Sequence, residues 1–288
     1  MNISKHFQKG MNIQNSVLNK IQSIIESSKA YILNPATSLI LKGIILNYIK
    51  VLEDEGKKVG ISYGEYKRII LEELIREINK TFLDNSNGVL EHLLLEIGEV
   101  IKRNYEYVDR IKVKVEERLI IGTKNPFTNL SFETGTIIHP ILGVPYIPAS
   151  SLKGSFRSYV ELKYGKSLEN ICGLEIENIF GESGEKGALA LITITDAYPL
   201  GFETSLVEPE VTTPIYAREI REDKASPTPI IYPVVARKTI FVFYVAFRKD
   251  LKLECINKLL EWIRELTIEG IGAKTLVGFG IMSAEVET

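Results

Sequence analysis

The stretch Gly143-Val-Pro-Tyr-Ile-Pro-Ala-Ser-Ser-Leu-Lys-Gly-Ser-Phe-Arg-Ser158 predicts a change from a rigid extended segment to a helix. Pro145 and Pro148 fix their own φ angles and disfavour helical backbone for the residues before them. Ser150 or Ser151 can then cap a helix by accepting hydrogen bonds from its free N–H groups. Apolar residues follow at helical spacing, namely Leu152, Phe156, Tyr159 and Val160. We therefore expect a capped helix over residues 151–164.

The first turns of this helix combine several features of an anion-binding site. Lys153 and Arg157 are four residues apart, so they share one face of the helix. Gly154 costs roughly 1 kcal/mol relative to alanine in a helix, which favours a position that another backbone must approach closely. Together with the hydroxyls of Ser150 and Ser151 and the positive end of the helix dipole, they predict phosphate binding. The alternative is a capped amphipathic helix with a solvated charged face.

The composition is that of an ordinary globular protein. The chain has 288 residues, of which 45% are hydrophobic and 25% charged, enough for two modest domains. No apolar run reaches the length of a membrane span, and the first residues lack the apolar core of a signal peptide. We therefore expect a cytoplasmic protein without membrane contact. The two cysteines, Cys172 and Cys255, are isolated and have no metal-ligand spacing.

The charge balance limits the way in which this chain could bind a nucleic acid. The formal net charge is −2, so any such contact must come from a local basic patch. This favours a subunit that shares the nucleic acid with its neighbours over a free-standing RNA-binding protein.

Residues 1–108 are predicted to form a helical N-terminal region. Apolar residues recur at three-and-four spacing over 13–33, 36–52, 62–83 and 89–107. No catalytic or metal-binding pattern stands out there, so we expect this region to pack against the rest of the chain or against another protein.

Residues 109–288 show a different period and predict an α+β domain. The first segment, Ile111-Lys-Val-Lys-Val, alternates strictly as a strand does. Three more strands are predicted over 188–196, 239–247 and 279–286, and a second helix over 251–266. With the helix at 151–164, the order is β-α-β-β-α-β, that of the ferredoxin-like (RRM-like) fold.

Two additions to this minimal fold are informative. The link between the second and third strands, residues 197–238, is a long proline-rich insertion that carries Arg218 and Arg221, and long structured insertions are commonly functional. The segment Gly270–Gly280, called here the glycine-rich loop, favours positive φ angles and bare N–H groups, the features of an anion-binding nest. Its candidate anion-binding residues are Gly270, Gly272, Ala273, Lys274, Thr275, Gly278 and Gly280.

These motifs together resemble a known family. The segment Tyr146-Ile-Pro-Ala-Ser-Ser-Leu-Lys-Gly-Ser-Phe-Arg157 resembles the IPGSSLKGxxR signature of the RAMP superfamily of CRISPR proteins, and the glycine-rich loop is similar to theirs. Further stretches resemble the sixth RAMP subunits of type III-B (Cmr) complexes, namely Gly135–His139, Phe180-Gly181, Asp196–Pro199, Val211–Tyr216 and Pro227–Ile230. The resemblance covers about residues 118–286. Ala149 and Ile215 depart from it, since glycine and histidine are usual at these positions.

The resemblance implies a non-catalytic subunit of an RNA-guided antiviral effector complex. Such a subunit sits at the head of the filament, caps its repeated backbone subunits and binds the guide RNA backbone toward the 3′ end. The implied partners are guide RNA, target RNA paired with it, the repeated backbone RAMP subunit, a small helical subunit and another head RAMP subunit. It implies no cofactor and no metal.

The implied contacts are those of the helix and the loop. In a ferredoxin-like sheet the first and fourth strands are neighbours, so we expect Lys153, Arg157 and the loop to form one surface, where Gly272 and Gly278 let the RNA approach the main chain.

Other functions remain open from the residues alone. A RAMP-fold ribonuclease would use His139 and Asp196, although no second histidine or cysteine stands at ligand spacing from His139. His139, Arg218 and Arg221 are also candidates for RNA or subunit contact. A protein scaffold that touches no RNA, and the equivalent capping subunit of a related type III complex, are the remaining alternatives.

Overall fold

The computed structural model describes residues 34–56, 60–85, 88–122, 129–165, 167–168, 172–182, 187, 189–213 and 229–287. The helices are α1 (Pro35–Asp54), α2 (Tyr63–Asn85), α3 (Val89–Asn104), α4 (Ala149–Tyr164), α5 (Ile176–Phe180) and α6 (Leu253–Glu269). The strands are β1 (Tyr107–Val115), β2 (Ile192–Ile194), β3 (Tyr198–Gly201), β4 (Val207–Thr212), β5 (Ile230–Val235), β6 (Ile240–Phe247) and β7 (Met282–Glu287). The helix predicted over 13–33, Arg218 and Arg221 lie outside the described residues.

The predicted α+β class is confirmed. The main sheet has the order β2–β6–β1–β7, β3 also pairs with β6, and every pair is antiparallel. The strongly periodic segments lie where the sequence predicts them, and α1, α2 and α3 occupy the predicted helical half. The predicted insertion contains β3 and a separate two-stranded sheet of β4 and β5. It is therefore structured on both sides of residues 214–228, which are not described.

Of the described residues in the strand predicted over 188–196, only β2 (Ile192–Ile194) forms a strand, and a bulge separates it from β3 in the predicted insertion. Ile194 pairs with Val245 and Tyr198 with Val242, so three residues, 195–197, stand opposite two residues of β6. The Tyr244 N–H donates to the Thr195 hydroxyl at 2.9 Å. This bond to a side chain takes the place of a backbone hydrogen bond of the regular ladder. Such an extra residue bends a strand and turns a side chain away from its regular position.

Strand β6 is buried from Phe241 to Phe247, so both of its faces are covered. Helix α3 contacts the face that carries Tyr244, and Gly98 allows this approach. A Cβ atom at Gly98 would lie 2.6 Å from the Tyr244 hydroxyl. The apolar run of β6 in the sequence, Ile-Phe-Val-Phe-Tyr-Val-Ala-Phe, is thus explained by burial on two sides.

The chain divides into two compact units. Unit 1 comprises 1–81, 124–144 and 209–233, and unit 2 comprises 82–123, 145–208 and 234–288. The sheet, α3, α4 and α6 all belong to unit 2. The domain boundary that we place at residue 108 from the sequence stays a prediction.

Helix α1 is the core helix of unit 1. Among the described helices it alone has the length and apolar composition to cross a membrane. More than half of this apolar stretch, however, is buried in the protein. Its buried Lys42 ammonium lies 2.8 Å from the Glu73 carboxylate and 2.7 Å from that of Glu77. Paired charges of this kind are usual for a buried lysine in a protein core.

A disulfide joins Cys172, which precedes α5, to Cys255 in the first turn of α6. Both cysteines are buried. From the sequence alone the two cysteines look unrelated in position, because 83 residues separate them. Only the fold brings them together. The bond closes a long loop that includes β2, β3 and β6.

We predict that replacing both cysteines, Cys172→Ala with Cys255→Ala, lowers the free energy of unfolding by about 2–5 kcal/mol, because the unfolded chain loses a long cross-linked loop. Urea denaturation followed by far-UV circular dichroism measures the change. Wild-type protein reduced in denaturant provides the control and should show the midpoint of the double variant. Equal midpoints for the oxidised wild type and the variant would contradict a stabilising role.

Candidate functional site

The proline-rich approach to α4 is attached to the bulge between β2 and β3. Ile147 and Ala197 exchange two backbone hydrogen bonds, of 2.9 and 2.8 Å, as an isolated antiparallel bridge. Ile147 and Ala197 are completely buried. This bridge fixes where the extended segment ends and α4 begins.

The N-terminus of α4 is capped by Asp196 and not by a serine. The N-cap residue is Pro148, whose side chain makes no capping hydrogen bond, and the helix begins at Ala149. The Ala149 N–H donates to Asp196 Oδ1 at 2.6 Å. The prediction that Ser150 or Ser151 caps the helix is therefore wrong, since both lie inside the first turn. A carboxylate of the chain itself occupies the end where we expected a phosphate.

Two tyrosines flank this carboxylate. The rings of Tyr146 and Tyr198 stack with centroids 6.2 Å apart and planes 16° apart. Burial, and secondly the charge of Asp196, raise the pKa of Tyr198 to about 12. The same two causes raise the pKa of Tyr146. Both hydroxyls therefore keep their protons at neutral pH, and Tyr198 hydrogen-bonds Asp196. Asp196 thus has a structural role as a helix cap.

Arg157 is engaged within the chain. Its Nε lies 2.9 Å from Glu161, its Nη1 donates to the Gly181 carbonyl at 3.0 Å, and its Nη2 lies 3.8 Å from Glu177. Close by, the rings of Phe156 and Phe180 meet edge to face at 5.1 Å. Arg157 therefore links α4 to the end of α5. The sequence predicted only an exposed phosphate ligand at this position and not this structural role.

Lys153 differs from Arg157 because no carboxylate in the described part of the chain pairs with it. Burial lowers the pKa of Lys153, and the nearby charge of Arg157 lowers it further. The hydroxyls of Ser150 and Ser151 likewise make no hydrogen bond to any described residue. One flank of α4 thus carries a partly desolvated ammonium group and, three residues before it, the Ser150 hydroxyl, both available to an external ligand. Ser151 is two residues from Lys153 and faces another side of the helix.

Gly154 lies on this flank and is exposed. A Cβ atom there would meet nothing within 4 Å. No neighbour in the described structure therefore requires glycine at this position of the helix, which is consistent with an external backbone approaching it.

The glycine-rich loop is held by backbone bonds within unit 2. The N–H groups of Ala273 and Gly280 donate to the carbonyls of Ile120 at 2.9 Å and Arg118 at 2.8 Å. Those of Gly270 and Gly278 also donate to carbonyls, of Leu266 and Thr275. The expected positive φ angles are present at Gly270, Gly272, Gly278 and Gly280. The expectation of bare N–H groups is wrong for Gly270, Ala273, Gly278 and Gly280.

Two glycines of the loop are needed for contacts between segments of the chain itself. A Cβ atom at Gly272 would lie 2.3 Å from the Ile120 carbonyl oxygen, and one at Gly280 would lie 2.0 Å from that of Ile271. Gly278 has open space around it. The close approach that we expected for RNA at Gly272 is therefore made by the chain's own backbone.

The tip of the loop is exposed and partly apolar. Leu276 and Val277 lie in a short 3₁₀ turn over Thr275–Val277, and Leu276 is completely exposed. Lys274 precedes this turn in the left-handed conformation, with its ammonium 5.9 Å from the centroid of the Phe279 ring. This distance is that of a cation–π contact.

The predicted convergence of Lys153, Arg157 and the glycine-rich loop stays a prediction. Strands β1 and β7 are neighbours, as that prediction requires. Within the described ranges, however, the side-chain hydrogen bonds and ion pairs of Arg157 all go to residues 161–181, and the Lys153 side chain makes none. The structure thus joins neither cation to the loop by a direct bond.

His139 shapes a turn in unit 1. Its Nδ1 accepts hydrogen bonds from the N–H groups of Ile141 at 3.2 Å and Leu142 at 3.1 Å. His139 and Asp196 belong to different units, and each has a structural partner. Among the described residues, no group of three or more histidines, cysteines or carboxylates could hold a metal ion.

Glu265 is a residue that sequence reasoning missed. Its Oε2 accepts hydrogen bonds from Tyr159 at 2.6 Å, Lys163 at 3.0 Å and Tyr164 at 3.1 Å. These hydrogen bonds join α4 to α6, and Tyr164 also stacks on Trp262 at 4.2 Å. The only signal in the sequence is a cluster of donors at 159, 163 and 164 on one helix face.

Comparison with known proteins identifies the family. The sequence model of the RAMP superfamily matches residues 112–283. The chain belongs to the RAMP superfamily. It is 28% identical over 264 residues to CRISPR system CMR subunit Cmr6 of Saccharolobus solfataricus, a match that covers 91% of this chain and 87% of that protein.

A solved structure shows the same fold. A chain of the type III-B Cmr-beta complex, determined by cryo-EM with cognate target RNA bound, matches with a TM-score of 0.73 and 23% identity. The match covers 94% of this chain and 98% of that chain. This RAMP protein is therefore Cmr6-like, and the resemblance seen in the sequence is confirmed.

We predict that Glu265→Gln removes an acid-sensitive contribution to the stability of this RAMP protein. The hydrogen bond from Tyr159, followed by that from Lys163, lowers the pKa of Glu265 below its ordinary value of 4.5. A carboxyl group whose pKa is lower in the folded than in the unfolded state stabilises the fold at a pH above the unfolded-state pKa. This stability is lost as the pH falls through the folded-state pKa. The unfolding temperatures of wild type and variant should therefore differ at neutral pH and begin to converge only as the pH falls below about 4.5, toward the lowered pKa of the folded state. A constant difference across this range would contradict the role given to the carboxylate.

Proposed function

We propose that this protein is a non-catalytic subunit of a type III-B CRISPR effector complex that binds the guide RNA backbone toward its 3′ end and caps the filament of backbone subunits. The Saccharolobus relative, a subunit of a CMR system, supports this proposal. So does the shared fold with a chain from a complex bound to target RNA. The proposed partners are guide RNA, target RNA paired with it, the repeated backbone RAMP subunit, a small helical subunit and another head RAMP subunit.

We also propose that the sheet domain is ferredoxin-like, with β2 and β3 together as its second strand. The strand order β2–β6–β1–β7 and the antiparallel pairs support this assignment. RNA-recognition domains with this topology stack bases on aromatic residues of the open sheet face. Burial of β6 on both sides argues against that mode here and in favour of binding outside the central strands.

The observation that carries the RNA-binding proposal is the state of Lys153. A partly buried ammonium without a counter-charge is destabilised relative to one in water, as its lowered pKa indicates. A phosphate beside Lys153 would supply the missing charge, and Ser150, three residues before it on the same side of the helix, could donate its hydroxyl hydrogen to it. The open space at Gly154 allows the sugar–phosphate backbone to come close. Such contacts bind RNA without reading its sequence.

Arg157 has a second role in this arrangement. Because Glu161, Glu177 and the Gly181 carbonyl hold its guanidinium, it positions α4 and adds positive potential beside Lys153. Any phosphate contact by Arg157 would compete with these three partners. We therefore expect Lys153 to contribute more to RNA affinity than Arg157.

The structural roles of Asp196 and His139 support the non-catalytic proposal. Hydrolysis of RNA by a protein requires a base, an acid or metal, and a group that orients them. In the described residues, Asp196 is hydrogen-bonded to a helix N-terminus and His139 to a turn. Target cleavage would then belong to other components of the complex.

We predict that Lys153→Ala lowers guide affinity for every guide sequence and reduces the slope of log K against log salt by about one, as the loss of one phosphate contact does. Filter binding with two unrelated guides across a salt series, in the assembled complex, measures both effects. Lys163→Ala is the matched control, because its ammonium lies on the same helix but is bound by Glu265 at 3.0 Å.

An unchanged salt slope for Lys153→Ala would contradict the proposed phosphate contact. So would an equal loss of guide affinity in Lys153→Ala and Lys163→Ala. The same samples report on catalysis. The isolated wild-type protein should leave a labelled target RNA intact, and shortening of that RNA would overturn the non-catalytic assignment.

We predict opposite effects of Gly154→Ala on stability and RNA binding. Alanine favours the helix by about 1 kcal/mol, and the added methyl group meets nothing within the chain. The variant should therefore unfold at a higher urea concentration and bind guide RNA more weakly, because the methyl group stands where the RNA backbone approaches. A stabilised variant with wild-type affinity would show that no ligand approaches this position.

A further inference from the structure

Helix α1 is apolar on its outer face as well as on the face that it buries in unit 1. Leu39, Leu46 and Ile49 form the inner face and are buried in the core. On the opposite side of the helix, Ile44 is 56% exposed, and Val51 is exposed to a similar degree. A helix that is apolar on all sides is normally buried on all sides. The outer face of α1 is therefore a surface that another apolar segment is expected to cover.

Four residues make up this outer face. They are three, four and three positions apart, so they lie along one side of the helix. We call them the α1 stripe: Leu41, Ile44, Tyr48 and Val51. Leu41, Ile44 and Val51 are exposed, and Tyr48 is half-buried. The stripe thus extends over three turns of α1 without a charged residue.

The polar side chain beside the stripe is already satisfied. The Asn47 amide group donates to the carbonyls of Gly43 and Leu130, each at 2.8 Å. Leu130 is itself exposed, so it extends the apolar surface beyond the helix. An occupant of this surface must therefore bind mainly through apolar side chains.

The chain changes direction just before α1. Asn34 is the N-cap of α1, with φ −51° and ψ 136°, and its side chain accepts a hydrogen bond from the Ala36 N–H at 2.8 Å. Pro35, which follows it, disfavours helical backbone at Asn34. A helix that ends before Asn34 therefore does not continue straight into α1. Two helices joined by a short connection pack side by side and antiparallel.

The segment before Asn34 has a matching apolar face, although it lies outside the described residues. In an antiparallel pair of helices, residues equally far from the turn face each other. Ile24 and Ile44 are each ten positions from Asn34, and Val17 and Val51 are each seventeen. The apolar residues of the segment recur at helical spacing, namely Ile13, Val17, Leu18, Ile21, Ile24 and Ile25.

We propose that residues 13–33 form an amphipathic helix that packs antiparallel against the α1 stripe. The segment is attached directly to α1, so its local concentration at the stripe is far higher than that of a separate protein at ordinary concentrations. The stripe then belongs to the core of unit 1 and not to an interface with another subunit. This docking concerns contacts within unit 1 and does not depend on RNA binding.

Hydrogen exchange of the full chain, measured by mass spectrometry on peptides from residues 13–33, tests this docking. In the wild type, the amides of this segment should exchange at least about tenfold more slowly than in an unfolded chain, because an isolated helix of this length is only marginally stable. Ile44→Asp places a charge in the middle of the stripe and should abolish most of this protection, since an unpaired carboxylate is costly to bury. Ile24→Asp, which leaves α1 itself unchanged, should have the same effect.

Val89→Asp is the matched control. Val89 is 54% exposed and lies at the start of α3, where a negative charge is favourable, so this variant should leave the protection of residues 13–33 unchanged. Slow exchange in α2 shows that each variant stays folded. The proposal is overturned if residues 13–33 of the wild type exchange like an unfolded chain, or if both aspartate variants of the stripe and the segment keep full protection. Protection that grows with protein concentration would assign the stripe to a second copy of the chain and would likewise overturn it.

Discussion

The hydrogen bond from the Ala149 N–H to the Asp196 carboxylate is the interaction on which the arrangement of unit 2 depends. It exists because the bulge at residues 195–197 inserts one extra residue opposite β6 and turns Asp196 out of the ladder. The bridge between Ile147 and Ala197 beside it holds the proline-rich approach in place. Together they determine where α4 begins and which of its faces remains exposed.

This cap also determines the electrostatics of α4. A helix N-terminus attracts anions, but here a carboxylate of the chain already occupies it. The remaining attraction for an anion comes from the flank, where Lys153 has no counter-charge in the described structure and Arg157 adds to the positive potential. We therefore propose that phosphate binds at the side of the helix.

The sequence predicted the elements whose residues repeat strongly. Strict alternation over Ile111–Val115 and the apolar spacing of α4 and α6 placed a strand and two helices correctly, because burial of one face produces those periods. The bulge, the Asp196 cap and the disulfide could not be predicted, since each depends on residues far apart in the chain. Gly272 shows a further limit. Its need for close backbone approach was evident, but the identity of the approaching backbone, Ile120, depends on the fold.

The central claim is that the Lys153 flank of α4 binds an RNA phosphate. A cryo-EM map of the assembled complex with guide RNA, at a resolution that shows side chains, tests it directly. The account predicts a guide phosphate oxygen about 2.7–3.2 Å from Lys153 Nζ, with the sugar–phosphate backbone passing over Gly154. A guide strand that runs elsewhere on the protein, with Lys153 facing solvent or another protein subunit, would contradict it.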